Sequence, residues 1–249
     1  MAFAGMFTFW MSISRWHKKK QAESLKNLGE AYLRQGDFNG ALRTFFEAQG
    51  LSPNDPYIQN NMGIAYLGKK RPDLAIDHFK KAIRIKSQYP DALNNLGIAY
   101  LESNNYLKAI QCFNDTLNDL IYATPHIPLA NLGRTYLAMN NYDKSISYYK
   151  RSIELLYDFA IAHRGLGQAY SQKGNYQKAI STYKEAIRIA PRFADAHFEL
   201  GQLYVRHQKY PEAVRHFHEA IRFSGSMTFK RKVQAALEQI RPFEMDYRF

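Results

Sequence analysis

Apolar positions along most of this chain fall three and four residues apart, the spacing that gathers one face of an α-helix, and the pattern restarts at a fixed interval. Leu25-Lys26-Asn27-Leu28-Gly29-Glu30-Ala31-Tyr32, Leu93-Asn94-Asn95-Leu96-Gly97-Ile98-Ala99-Tyr100 and His163-Arg164-Gly165-Leu166-Gly167-Gln168-Ala169-Tyr170 share one phrase, apolar-Gly-x-x-Tyr. It recurs at Met62-Gly63, Leu132-Gly133 and Leu200-Gly201, closing at Tyr66, Tyr136 and Tyr204. Twelve residues after each Gly stands a small residue: Ala41, Ala75, Ala109, Ser145, Ala179 or Ala213. Four further on comes an aromatic: Phe45, Phe79, Phe113, Tyr149, Tyr183 or Phe217. The interval is 34 residues throughout, except between the third and fourth phrases, where it is 36.

A unit of this length holds two antiparallel helices, A and B, and the residue types follow from their close packing. Small residues occupy the crossing while Leu, Tyr and Phe fill the flanking holes. Turns rich in Asn and Gly, such as Gln35-Gly36-Asp37, Asn104-Asn105, Asn140-Asn141 and Lys173-Gly174-Asn175, suit the end of one helix and the start of the next. Pro53 and Pro191 stand where helix B gives way to the next unit. The units so defined are 22–55, 56–89, 90–125, 126–159, 160–193 and 194–227. A last helix, Thr228 to Arg241, is expected to stop at Pro242 and to place Val233, Ala236, Leu237 and Ile240 on one face, capping the stack; 228–249 forms this helix and a short tail. The six copies resemble the tetratricopeptide repeat (TPR) family. The resemblance implies an all-α fold, a right-handed TPR superhelix (α-solenoid) of six repeats plus a C-terminal capping helix, with thirteen helices from Ala22 onward.

Residues 1–21 read differently, as an apolar run from Met1 to Ser14 followed by Arg15, Lys18, Lys19 and Lys20. The run is shorter than the roughly 18 apolar residues that span a bilayer, and its charges follow it where an export signal would have them first. Three readings stay open: a signal core, a peripheral membrane contact through residues 1–20, or an extension folded on the first repeat.

Charge and chemistry narrow the function. Lys and Arg number 34 against 22 acidic residues, a formal +12, spread as +4 over residues 1–125 and +8 over 126–249. No nucleic-acid motif accompanies that excess, so nucleic acid is not the expected partner. The single cysteine, Cys112, excludes an internal disulfide and a Cys-rich zinc site. His163 and His197 occupy the position held by Leu25, Leu93 and Leu129, which predicts packing between helices. His216 and His218 lie two apart on a helix and face different directions, wrong for a shared metal. Neither a catalytic constellation nor a phosphate loop appears, and the chain reads as a non-enzymatic protein needing no cofactor or metal.

In a TPR stack, helix A lines the concave groove. The residue before each apolar-Gly pair is Asn27, Asn61, Asn95 and Asn131 in the first four repeats, then Gly165 and Glu199. Such an amide ladder either grips the backbone of an extended peptide or bonds within the stack. Tyr57, Ile64, Ile98 and Ile127 surround it with an apolar strip, and Arg134 and Arg164 add basic groups. This set predicts a groove for a partner peptide or helix.

TPR domains that clamp a terminal carboxylate carry Lys, Asn and Arg at set groove positions. Lys26 and Asn61 match, but Glu30, Asp91 and Asn95 stand where Asn, Lys and Arg belong, and an acidic residue there repels a carboxylate. A narrower resemblance rests on the repeat count, the 36-residue third repeat and Tyr122-Ala123-Thr124-Pro125-His126-Ile127-Pro128-Leu129. These are similar to the TPR lipoproteins of type IV pilus biogenesis, the secretin pilotin family. That resemblance implies a periplasmic protein on the inner face of an outer membrane, with a secretin subunit as partner. Its members carry a lipidated cysteine after the signal, whereas the first cysteine here is Cys112. The other reading is a general intracellular TPR adaptor, a cytoplasmic co-chaperone-like scaffold without a carboxylate clamp.

Overall fold

The computed structural model describes the backbone of residues 2–119 and 122–244 and the side chains of residues 16–119 and 122–241. Among the described residues every regular element is a helix. They fall into two compact units that divide at Tyr122 and Ala123.

The first unit contains α1 (Ala2–Gln35), α2 (Phe38–Leu51), α3 (Pro56–Gly68), α4 (Pro72–Ile85), α5 (Pro90–Glu102) and α6 (Tyr106–Leu117). Its helices start where the chemistry favours a start. Asp37 accepts from Gly40 N at 2.9 Å and Asp55 from Tyr57 N at 2.8 Å, satisfying amides that have no intrahelical partner, while Pro56, Pro72 and Pro90 open their helices. Ala41, Phe45 and Ala48 of α2 pack with Ile58, Met62 and Ala65 of α3 in one core cluster.

The second unit contains α7 (His126–Ala138), α8 (Tyr142–Leu155), α9 (Ala160–Gln172), α10 (Tyr176–Ile189), α11 (Ala194–Arg206), α12 (Tyr210–Phe223) and α13 (Met227–Glu244). Ser145 and Ser152 take crossing positions that Ala fills in most repeats. Their buried hydroxyls are satisfied by donating to Gly133 O at 2.8 Å and His126 O at 2.7 Å, so a polar atom is tolerated there. Helix α13 packs on α12 and buries Val233 and Ile240, with Ala236 and Leu237 partly covered beside them.

The turn between helices A and B uses one device in every repeat. Gly36, Lys70, Asn104, Asn140, Gly174 and Gln208 all take positive φ, the left-handed conformation that ends a helix. Gly and Asn suit it; Lys70 and Gln208 adopt it at some conformational cost, and their types gave no sign of it.

Two expectations need correction. The first helix begins at Ala2 and not near Ala22, because no proline or cluster of turn residues interrupts the chain before Gln35-Gly36-Asp37. Trp16 to Gln21 are exposed on it and Ala22 is its first buried side chain among those described; the readings given to residues 1–15 concern side chains outside the described residues. At the other end Pro242 does not stop the last helix, which runs on to Glu244. In a final turn a proline forfeits only one hydrogen bond, so the backbone continues. Among the described residues no helix is long and apolar enough to cross a membrane.

Candidate protein-binding groove

The A-helix face of the first unit is formed by α1, α3 and α5. Asn27 is exposed there, whereas Asn61 is 8% exposed and Asn95 half-buried. Asn61 Nδ2 donates to Glu30 Oε1 at 2.8 Å, and Asn95 Nδ2 donates to Asn60 Oδ1 at 3.0 Å. The ladder is thus in part a set of bonds between repeats: one N–H of each of these two amides is spent inside the stack. Fewer amides face outward than their spacing suggests.

Beside them lies a mixed apolar and basic surface. Ile64 and Ile98 are half-buried, and Tyr57 is 43% exposed. The Tyr57 ring meets Tyr89 edge-on at 5.3 Å, and Lys86 Nζ lies 4.9 Å from the Tyr57 ring centroid and donates to the Tyr57 hydroxyl at 2.9 Å. Lys26 also lies over the ring, at 5.4 Å, and pairs with Glu23 at 2.8 Å.

In the second unit Ile127 and Asn131 are half-buried and Arg134 is exposed. At Gly165 the ladder residue has no side chain, because a Cβ would lie 2.2 Å from Cζ of Tyr149, whose ring takes the space. Next to it Arg164 joins a charged network: its guanidinium lies 3.4 Å from Glu199 Oε1 and 3.9 Å from Asp195 Oδ2. Gln168 Nε2 donates to the same Glu199 oxygen at 2.6 Å. Burial pushes the Glu199 carboxyl up to about 7, against the pull of Arg164. Its other oxygen, Oε2, is buried without a hydrogen-bond partner.

Glu199 breaks the asparagine register, and that departure alone does not reveal its role. A signal existed. Glu30 and Gln168 both stand three residues after the ladder position of their own helix, and each meets the ladder residue of the next A helix, Asn61 and Glu199. A polar residue at that offset therefore marks an inter-repeat bond.

His163 and His197 are both 5% exposed, as their repeat position predicts. His197 faces His216 across the A and B helices, with Nδ1 to Nδ1 3.0 Å, and its Nε2 donates to Pro191 O at 3.0 Å. Among the described residues no three His, Cys, Asp or Glu side chains are grouped to hold a metal.

Repeated antiparallel helix pairs, small residues at the crossings and a polar A-helix face define an α-helical repeat protein. Tetratricopeptide repeat family models match residues 24–57, 56–120, 129–160 and 194–225, and a TPR repeat model matches 167–208. The chain belongs to the tetratricopeptide repeat proteins. No curated protein matches its sequence significantly.

Solved structures share the fold. PilF of Pseudomonas aeruginosa is 19% identical with a TM-score of 0.67, over 88% of this chain and 99% of that one. PilW, described as a widely conserved type IV pilus biogenesis factor, is 20% identical with a TM-score of 0.72, over 86% and 98%. A tetratricopeptide repeat protein from Parabacteroides merdae is 19% identical with a TM-score of 0.74, over 87% and 83%. At these identities the likeness is one of fold.

Proposed function

We propose that the protein is a non-enzymatic scaffold whose A-helix faces hold a segment of a partner protein, and that it assists type IV pilus secretin assembly from the periplasmic side of an outer membrane. The scaffold reading is carried by one observation: the A-helix face of the first unit leaves Asn27 and Tyr57 exposed beside the half-buried Ile64 and Ile98, an apolar strip edged by hydrogen-bonding groups. The pilus reading is supported by the near full-length likeness to PilF and PilW and by the Tyr122-Ala123-Thr124-Pro125 phrase. Deleting the gene in its native host is expected to deplete heat-stable secretin multimers on gels, and restoring it to bring them back. Unchanged multimers in the deletion strain would remove the pilus role and leave the scaffold.

A further inference from the structure

The second unit carries a cleft of about 340 Å³ bounded by α9, α11 and α13. Gln168 and Gln172 line one side, Glu199, Gln202 and Arg206 another, and Lys232 reaches in from α13. Its charges are unevenly matched. Glu199 and Asp195, the carboxylates of the lining, are both engaged by Arg164 at 3.4 and 3.9 Å. Arg206 and Lys232 are exposed, and among the described residues neither lies within ion-pair distance of a carboxylate. Arg206 and Lys232, the latter near Glu199 and over the Phe198 ring, stand beside three glutamine amides, of which Gln168 spends one N–H on Glu199; together they call for an anion that also carries backbone N–H and C=O groups.

We propose that this cleft binds an acidic stretch of a partner polypeptide, a side-chain carboxylate facing Arg206 and Lys232 while the glutamines take up neighbouring peptide groups. The inference rests on the scaffold reading and adds the chemistry of the partner. A single-stranded nucleic acid fits less well, because it needs open aromatic faces for its bases. Here Lys232 Nζ lies 4.8 Å over the Phe198 ring, and Phe229 packs against that ring edge-on at 5.5 Å.

Glu199 adds a pH dependence. It is faced by Arg164 from α9, Tyr149 from α8, Tyr183 from α10, Asp195 from its own helix and Lys232 from α13, with Arg206 near Tyr183. Of these, Glu199 is the group that titrates near pH 7, since burial raises both tyrosines well beyond that range. Below that pH it is neutral and the cleft is more positive; above it the added charge opposes an acidic ligand.

The test is fluorescence anisotropy on the full chain with three capped peptides of equal length, Gly-Ser spacers carrying Glu, Gln or Lys, and an oligouridylate as the competing anion. At pH 6 the Glu peptide is expected to bind about tenfold or more tighter than the Gln peptide and to weaken severalfold by pH 8. Replacing Arg206 and Lys232 together with Gln should erase the preference, and Glu199→Gln should flatten the pH dependence without weakening binding at pH 6. Survival of the preference in the double variant would overturn the proposal, as would absence of Glu-peptide binding at millimolar concentration or tighter binding of the Lys peptide or the oligouridylate. Equal binding of all three peptides would overturn it while leaving the scaffold reading intact.

Discussion

Phe79→Ala is expected to destabilise the first unit by about 3 to 5 kcal/mol, the cost of deleting a fully buried aromatic ring and leaving its cavity. Phe79 has no exposed surface, and its ring lies against Gly63 so closely that a Cβ there would sit 2.5 Å from Cε1. Glycine on helix A and the aromatic on helix B are one device: the ring fits because the facing residue has no side chain. Neighbouring helices cannot collapse into the void without losing their own crossings at Ala75 and Ala82, both fully buried. Urea unfolding followed by circular dichroism measures the effect. A loss below about 1 kcal/mol, the level of an ordinary surface change, would mean that the ring is not the keystone of its repeat.

Acid is expected to withdraw the stabilisation that neutral His216 gives the second unit, between about pH 6.5 and pH 4. The carbonyl of Pro191 only accepts, so His197 carries its proton on Nε2; its Nδ1 is then an acceptor, and His216 Nδ1 donates to it. Burial, with His197, Arg215 and Lys184 nearby, pushes His216 down to about 4. An unfolded histidine titrates near 6.5, so between those values the unfolded chain binds more protons. The stabilisation is therefore complete above the unfolded value and is lost as pH falls toward the folded one. Allowing for the ring's partial exposure, about 2 kcal/mol is at stake. Relative to His216→Gln, which keeps a donor but does not titrate, the wild type should therefore lose urea midpoint as pH falls across this range. Each protein's own slope has other parts: Glu199, raised to about 7 by burial, holds its proton more tightly in the folded state and adds stability as pH falls, while His78, beside Gln59 Oε1 in the first unit, is shifted in the same direction as His216. Identical acid limbs in the two proteins would contradict the assignment.

The helical fold was legible because close packing restricts which residues can stand where. Gly63, Ala75 and Phe79 form a phrase that few other arrangements satisfy, and its recurrence every 34 residues left little else to decide. The groove was less legible, because Asn at a groove register satisfies two demands equally well. An amide that can hold a peptide can also bond the next helix, and Asn61 and Asn95 do the latter with one N–H each. Only the identity of a neighbour separates the cases, as Glu30 does for Asn61 and Gln168 for Glu199. The Arg206 and Lys232 cleft lay beyond reach, since it joins side chains of α11 and α13 through a packing angle that no local pattern records.

The central claim, that the A-helix face holds the partner, is tested most directly by titrating one captured partner against two matched double variants. Ile64→Ser with Ile98→Ser strips the apolar strip of the first unit, and the account predicts about tenfold weaker binding, the worth of roughly 1.4 kcal/mol of lost apolar burial. Lys80→Ala with Arg84→Ala alters exposed residues of the neighbouring B helix, and is expected to change affinity by less than about twofold. Full affinity in the isoleucine variant with loss in the Lys80 and Arg84 variant would place the partner on the helix B surface and contradict the account.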